Sequence, residues 1–401
     1  MKRFWAVLLA CLLFITGCKD DGFDTITIDP NETKITYGVW VSYLEFQSIL
    51  QGKSEEEYTV SVKTMMSNLE SLGINKIYAH ASAFTDAFYP SEYYPMSRYA
   101  SGSIGKSLNY DPFQILVSEA DFRGIQVEAW INPMRSFTES EMSSLSSQYP
   151  VKKWYSDENL RAERLMYAGD RYYLNPGSEA VIELIDNVAN ELLSNYKIAG
   201  IHIDDYFYPP EMTDELDQVT FDKYLETHAD ASRSSYRLAM TDRLVKSLYS
   251  TVHAYDDKVF SISPNANVRT NLETYYSNVE KWFKNSGYCD EMIPQIYFGF
   301  ENSNMPFKEI ADEWSAMATG RVKLLFGLAA YKVGQYDQWA GEGTNEWIEN
   351  SDVLSKQVEY VKEARRYGGV VFFRYLSMFY PDSEIYDQMQ LELSKLHYLL
   401  K

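Results

Sequence analysis

The stretch Gly200-Ile201-His202-Ile203-Asp204-Asp205-Tyr206-Phe207-Tyr208-Pro209 predicts a short β-strand that ends in two carboxylates and several aromatic side chains. Successive side chains of a strand alternate between its faces, so Ile201 and Ile203 share one face while His202 and Asp204 share the other. In a barrel the aliphatic face packs outward against helices and the polar face points inward. Asp204 would then lie at the carboxyl end of the strand, where barrel enzymes carry their active sites. The aromatic residues beyond it suit a sugar-binding cleft.

Strand-like and helical patterns alternate along the rest of the chain. The candidate strands are 35–42, 74–80, 125–132, 199–204, 258–263, 291–297, 322–329 and 369–375. The candidate helices are 54–72, 111–123, 178–196, 232–255, 271–285, 306–319 and 351–367. This alternation predicts parallel pairing through right-handed crossovers, closing into an α/β (β/α)8 TIM barrel. The connections 81–124 and 133–199 are long, so we expect extended loops after strands 2 and 3 that build a cleft.

The first 18 residues are typical of a bacterial lipoprotein signal peptide. A basic start is followed by an apolar stretch, residues 4–15, which is too short for a permanent membrane helix. Ile15-Thr16-Gly17-Cys18 then predicts cleavage before Cys18 and lipid attachment to it. We expect residues 19–34 to be an acidic tether and 35–401 to be one barrel domain. We predict that the protein lies in the cell envelope, at the outer membrane or the cell surface. It would be attached there through lipidated Cys18.

The amino-acid composition limits the classes of binding partner and cofactor. A formal net charge of −20 repels nucleic acid, which we exclude as a partner. Aromatic residues make up 15% of the chain, which fits either a tyrosine-rich core or a carbohydrate-binding surface. With 5 His, and neither a CxxC pair nor an HExxH motif, we expect no metal and no cofactor. Cys289 would be the one cysteine left beside the lipidated one, and we expect a buried core residue there.

Strand parity predicts a ring of polar and aromatic side chains around one opening. The candidate substrate-binding residues are Trp40, His80, Asp86, Trp130, Asn132, Tyr206, Gln295, Tyr297, Tyr331, Lys332 and Arg374. Each has a structural alternative. Trp40 and Trp130 can be barrel filler, His80 can be a satisfied core histidine, and Arg374 can neutralise Asp204 through a bidentate pair.

Carboxylates in this ring point to glycoside hydrolysis, which uses two carboxyl groups of which one is protonated at working pH. Asp204 is the first candidate. Its catalytic partner is sought in Glu128, on the neighbouring strand, or in Asp205, with Asp86 as a further possibility. The fifth strand ends at 261–265 without a carboxylate, unlike barrel glycosidases whose acid stands there.

Several motifs, taken in order, resemble the glycosyl-hydrolase-like 10 family of bacterial envelope proteins. They lie at 37–42, 86–91, 110–112, 129–133, 200–209, 261–264, 294–297 and 327–334. The resemblance spans about residues 34–375 and implies a TIM-barrel glycoside hydrolase acting on envelope polysaccharide, including peptidoglycan strands stripped of peptide. Its acidic pair falls on Asp204 and Asp205. This chain departs from the family where Glu128 stands in place of a common His, and near Ser82, where a basic residue is usual.

The fourth strand is also similar to chitinase-like barrels, in which the substrate's own N-acetyl group attacks. Tyr206 stands where those proteins have a Glu, so the similarity favours N-acetyl sugars without establishing that mechanism. The leading hypothesis is a lipid-anchored glycoside hydrolase acting on a polysaccharide. The alternatives are a non-catalytic glycan-binding lipoprotein on the same barrel and a structural envelope protein.

Overall fold

Eight parallel strands close into a barrel in the computed structural model, which describes residues 34–205 and 207–401. Ile35–Lys401 forms one compact unit. The predicted signal peptide, Cys18, residues 19–33 of the predicted tether and Tyr206 lie outside the described residues. The predicted (β/α)8 TIM barrel is therefore confirmed by the closed sheet and the helices around it.

The barrel strands follow one another around the ring in chain order, with β11 pairing back onto β1. A separate antiparallel sheet, in the order β4-β6-β5, lies within the long connection after the third barrel strand. In the described part of the chain the strands are β1 (Thr36–Val41), β2 (Lys76–Ser82), β3 (Gln126–Ile131), β4 (Arg135–Thr138), β5 (Leu165–Ala168), β6 (Arg171–Leu174), β7 (Gly200–Ile203), β8 (Val259–Ile262), β9 (Glu291–Met292), β10 (Lys323–Leu328) and β11 (Tyr367–Phe372).

Helices cover the outside of the barrel and the connections at its rim. They are α1 (Tyr43–Ile49), α2 (Glu55–Leu72), α3 (Arg98–Ser101), α4 (Pro112–Phe122), α5 (Glu139–Ser144), α6 (Pro150–Ser156), α7 (Glu158–Arg164), α8 (Glu179–Asn195), α9 (Gln218–Leu225), α10 (Arg233–Val252), α11 (Val268–Glu273), α12 (Val279–Lys284), α13 (Phe307–Met317), α14 (Glu346–Glu349), α15 (Val353–Val361), α16 (Tyr375–Phe379) and α17 (Tyr386–Leu399). In the residues described, no helix is both long and apolar enough to cross a bilayer.

Helix boundaries follow local chemistry. Ser54 and Glu57 form a capping box at the start of α2, which satisfies two backbone N–H groups that would otherwise lack partners. The helix ends at Gly73, whose φ of 92° is a left-handed conformation that glycine adopts without strain. Asp111 caps α4, and Pro112 occupies its first turn, where no N–H is needed.

Several elements differ from the sequence prediction, and α17 is among the helices that were not predicted. The sixth barrel strand keeps regular pairing over only Glu291–Met292, and Pro294, which has no N–H to donate, lies just beyond it. The predicted helix 271–285 is two short helices, α11 and α12, with Tyr276 between them at a φ of 53°. The sheet of β4, β5 and β6 was not predicted, since its strands have four residues each.

Charged side chains fill the lower part of the barrel. The Lys76 ammonium donates to Glu128 at 2.7 Å and to Glu291 at 3.0 Å, and all three residues are buried. Burial alone would lower the pKa of Lys76, but its two carboxylate neighbours outweigh it and raise that pKa. Burial raises the pKa of Glu128 to about 7 against the opposing effect of Lys76. The barrel floor is thus one buried ionic cluster.

Removing the cation of this cluster should destabilise the fold. We expect Lys76→Met to lower the free energy of unfolding by about 3–5 kcal/mol, because it leaves two buried carboxylates without their partner. Equilibrium unfolding in urea measures the change. Lys63→Met is the matched control, since Lys63 lies 3.7 Å from Glu119 at the surface and should cost less than about 1 kcal/mol. Equal effects of the two substitutions would contradict the prediction.

Candidate active site

A cavity of about 160 Å³ opens at the carboxyl ends of the barrel strands. Side chains from several strand ends and the loops that follow them converge there, as expected for a barrel of this class. The lining residues are Trp40, Ser42, Tyr43, Leu44, His80, Trp130, Asn132, Arg135, Asp204, Ser263, Gln295, Tyr297 and Phe373. We call this cavity the mouth pocket.

Asp204 and Asp205 directly follow β7, and Asp204 is a buried lining residue of the mouth pocket. The Gln295 amide donates to Asp205 at 3.4 Å and also to the Ser263 carbonyl oxygen at 3.0 Å. Burial of its carboxyl group raises the pKa of Asp205 to about 6, and the nearby Arg135 opposes that rise. The pair therefore includes a carboxyl group that keeps its proton in mildly acidic solution.

His80 and Trp130 form one stacked wall of the pocket, with ring centroids 3.4 Å apart. His80 Nδ1 accepts the Tyr43 backbone N–H at 3.1 Å, so Nε2 carries the proton and lies 3.3 Å from Asn132 Oδ1. Burial lowers the pKa of His80 to about 3, which keeps the ring neutral. The Nε1–H of Trp130 is buried without a hydrogen-bond partner among the described residues.

A chain of hydrogen bonds joins the barrel floor to Trp40. Ser261 donates to Glu128 and lies 2.7 Å from His202 Nδ1, while Trp40 Nε1 donates to His202 Nε2 at 3.0 Å. Because His202 Nε2 accepts from Trp40, its Nδ1 carries the proton. The Trp40 ring fits in this position because residue 327 is a glycine. A Cβ added at Gly327 would lie 3.0 Å from the Trp40 ring.

Aromatic rings continue from the pocket onto its rim. The ring centroids of Tyr297 and Phe373 are 5.7 Å apart, and each lies 5.9 Å from the ring centroid of Tyr331. On another side, Tyr43 contacts Tyr99 with ring centroids 4.6 Å apart. The pocket is therefore an aromatic-walled site with amide, indole and carboxyl groups at its base.

The structure brings together most of the residues that the sequence selected. Trp40, His80, Trp130, Asn132, Asp204, Gln295 and Tyr297 line the pocket, and Asp205 contacts Gln295. Tyr331 stands at the rim, and Tyr206 falls outside the described residues.

Glu128 is not brought to the mouth. Register pairs Trp130 with His202 and Glu128 with Gly200, so Glu128 lies four residues, about 13 Å along the strand, below the level of Asp204. Its carboxylate is committed to Lys76 and Ser261. Glu128 is thus a floor residue of the barrel and is not among the residues that line the mouth pocket.

Three other candidates are engaged elsewhere. Asp86 accepts the backbone N–H groups of Ala83 and Phe84 at 3.0 and 2.8 Å, which shapes the loop after β2. Lys332 pairs with Asp337 at 2.5 Å. Arg374 donates to the buried Glu45 at 2.8 Å, so Glu45 is its carboxylate partner rather than the Asp204 considered from sequence.

Arg135, Tyr43, Ser263 and Phe373 are pocket residues that the sequence analysis did not select. Arg135 stands on β4, outside the barrel strands, where strand parity gives no information. Strand parity places Ser263 inward after Ile262. A serine hydroxyl alone, however, does not distinguish a binding residue from other inward residues. No group of three metal-ligating side chains occurs within residues 34–205 and 207–401.

Related proteins match most of the chain. The protein is 27% identical to "Glycosyl hydrolase DigH" of Escherichia coli K12 over 414 aligned positions, covering 92% of each chain. It is also 27% identical to "Glycosyl hydrolase YngK" of Bacillus subtilis 168, covering 78% of this chain and 63% of that one.

Solved structures share the fold. The PgaB (BpsB) glycoside hydrolase domain of Bordetella bronchiseptica superposes with a TM-score of 0.57 at 12% identity, covering 88% of this chain and 99% of that one. A GH20 exo-β-N-acetylglucosaminidase of Vibrio harveyi superposes with a TM-score of 0.54 at 11% identity, covering 92% of this chain and 54% of that one. At these identities the similarity is one of fold, a glycosidase-like barrel.

The model of the family described as glycosyl hydrolase-like 10 matches residues 36–341, which include the mouth pocket up to Tyr297 and the strand that carries the two aspartates. That match covers more than half of the chain, and the chain therefore belongs to the glycosyl hydrolase-like 10 family.

Proposed function

We propose that this protein is a glycoside hydrolase that cleaves a polysaccharide, with Asp204 and Asp205 as its catalytic pair. The observation that carries the proposal is the position of these adjacent carboxyl groups at the carboxyl end of β7, beside an aromatic-walled pocket. A glycan offers such a pocket C–H faces for the rings and hydroxyl groups for the amides of Asn132 and Gln295.

Asp205 has a raised pKa, which suits acid catalysis. Glycoside hydrolysis needs one protonated group at the leaving oxygen and one negative charge near the cationic sugar of the transition state. Asp205, with its pKa raised to about 6, is the proposed acid. Asp204, which lines the pocket, is the proposed carboxylate that faces the sugar. Membership of the family supports an envelope or environmental polysaccharide as substrate, including strands that contain N-acetylhexosamine.

The indole N–H of Trp130, which has no hydrogen-bond partner in the described part of the chain, adds support for a polar ligand. Leaving a buried donor without an acceptor costs about 1–3 kcal/mol, and a sugar hydroxyl or acetamido oxygen in the pocket would relieve that cost. A non-catalytic glycan-binding protein is the second candidate. It is favoured by the end of β8, where Ser263 lines the pocket in place of the carboxylate of other barrel glycosidases.

The protein is also proposed to be lipid-anchored through Cys18 in the bacterial envelope, at the outer membrane or the cell surface. The motif Ile15-Thr16-Gly17-Cys18 after an apolar stretch supports this proposal. The anchor would hold the barrel beside its polymeric substrate.

Replacing the pocket carboxylate should abolish turnover and leave the fold intact. We expect Asp204→Asn to lower kcat by at least about a hundredfold, the usual range for a catalytic acid or base being 10²–10⁴-fold. The assay incubates the protein from residue 19 onward with peptide-free peptidoglycan strands, chitin oligomers and α-glucans, and reads products by mass spectrometry. Asp121→Asn, at an exposed surface pair with Lys197, is the matched control. Full activity of Asp204→Asn would exclude the proposed pair, and binding without products from the wild type would favour the second candidate.

The rate should fall as pH rises through the pKa of the acid. Since Asp205 must be protonated to act, kcat/KM should decline above about pH 6. Arg135 opposes the raised pKa of Asp205, so Arg135→Gln should move this decline to higher pH. The pH profile of kcat/KM for both proteins measures the shift. A decline that moves to lower pH, or stays in place, would show that another group is titrating.

Loss of the lipidated cysteine should release the protein from the membrane. In cells, Cys18→Ser should move the protein from the membrane fraction to the soluble fraction and remove its labelling by radioactive palmitate. Cys289→Ala is the control, because that thiol is buried in the barrel domain and should not affect either readout. Unchanged membrane association and labelling of Cys18→Ser would contradict the anchor.

A further inference from the structure

Residues 330–344, which follow β10 and are called here the rim loop, carry three exposed aromatic side chains. Tyr331 is 39% exposed, Tyr336 62% and Trp339 75%. Every other tryptophan in the described part of the chain is buried. Single exposed aromatic residues are ordinary on protein surfaces, but a group of them within one loop calls for a physical account.

The exposure does not come from a loosely held backbone. Asp337 is buried, accepts the Lys332 ammonium at 2.5 Å, and donates its backbone N–H to the Thr344 carbonyl oxygen at 3.0 Å. The Trp339 carbonyl oxygen accepts the Asn304 amide from the preceding loop at 2.8 Å. Tyr336 and Trp339 therefore flank a well-anchored point, and the fold holds their rings at the surface.

The rim loop is continuous with the mouth pocket. Tyr331 packs against Tyr297 and Phe373, which both line the pocket, with centroid distances of 5.9 Å. Lys332, the next residue, is ion-paired to Asp337, which lies between Tyr336 and Trp339 in the chain. The same loop thus carries one ring that packs against the pocket wall and two rings that are exposed to solvent.

The pocket alone is too small for a long ligand. Its volume of about 160 Å³ is below the roughly 300–1,000 Å³ of sites for drug-sized molecules. If the substrate is a polymer, the units next to the one in the pocket must lie on the surface around it. Aromatic rings suit that contact, since they present flat apolar faces to the C–H faces of sugar rings with little conformational entropy to lose.

We propose that Tyr336 and Trp339 bind further sugar units of a polysaccharide chain whose neighbouring unit occupies the mouth pocket. This proposal rests on the proposed function and extends it, because it makes the length of the glycan the property that the protein recognises. The ligand class is a glycan of several units with exposed C–H faces, in place of a mono- or disaccharide.

The test compares ligands of different length. The Asp204→Asn protein, which does not consume the ligand, is titrated calorimetrically with the disaccharide and hexasaccharide of N-acetylglucosamine and with peptide-free peptidoglycan strands. Adding Trp339→Ala should weaken binding of the hexasaccharide or the strands by about tenfold, a typical stacking contribution, and leave disaccharide binding unchanged. Tyr336→Ala should act in the same direction. Phe122→Ala, at an 83% exposed ring at the end of α4, should change neither.

A spectroscopic readout checks the contact directly. Because Trp339 is the exposed tryptophan of the described chain, iodide should quench its fluorescence, and the hexasaccharide should protect it while the disaccharide does not. Equal affinity of Trp339→Ala and its parent for the long ligands would overturn the proposal, as would equal weakening for short and long ones.

The outcomes separate this proposal from the proposed function. Product release by the wild type with no effect of Trp339→Ala or Tyr336→Ala on long ligands overturns the rim-loop proposal alone. Long-ligand binding that depends on Trp339, without any product from the wild type, overturns the hydrolase and supports the rim-loop site. Absence of binding to every one of these ligands, together with no product from the wild type on any glycan of the activity panel, overturns both.

Discussion

The ion pair that Lys76 forms with Glu128 and Glu291 is the interaction on which the barrel interior depends. Charges removed from water must be paired and hydrogen-bonded, and each member of this cluster satisfies the others. Ser261 extends the cluster upward to His202, which in turn accepts the indole N–H of Trp40. The floor of the barrel therefore sets the orientation of a ring that lines the pocket.

Burial shifts the pKa values of acids and bases in the pocket in opposite directions. It lowers the pKa of His80 to about 3 and raises that of Asp205 to about 6, since in both cases it disfavours the charged form. The histidine becomes a neutral, fixed wall under Trp130, and the aspartate becomes able to hold a proton. One physical cause thus keeps the histidine neutral without an added proton and favours the aspartate in its protonated form.

Strand parity predicted the inward-facing side chains of the third strand but gave no measure of their depth, and on the eighth strand it selected Arg374 where Phe373 lines the pocket. Glu128, Trp130 and Asn132 all face inward as expected, yet Glu128 belongs to the floor and Asn132 to the mouth. Strand parity could not predict the contacts made by helices and loops, and the reason is different. Arg374 meets Glu45 at the first turn of α1, which Ser42 caps, and Arg135 enters the pocket from β4. Such contacts depend on how connections fold over the mouth, which alternation along a strand does not encode.

The mouth of this barrel carries several groups that lower its stability. The indole N–H of Trp130 has no hydrogen-bond partner among residues 34–205 and 207–401, burial raises the pKa of Asp205, and the Tyr331 ring at the rim is partly exposed. Each of these costs stability, and each is relieved by a ligand that supplies an acceptor, a proton-accepting oxygen or an apolar face. A stable floor allows such costs to persist, because strands that are secured below can hold costly groups above them. The groups at the mouth are therefore in keeping with the proposed binding of a glycan there.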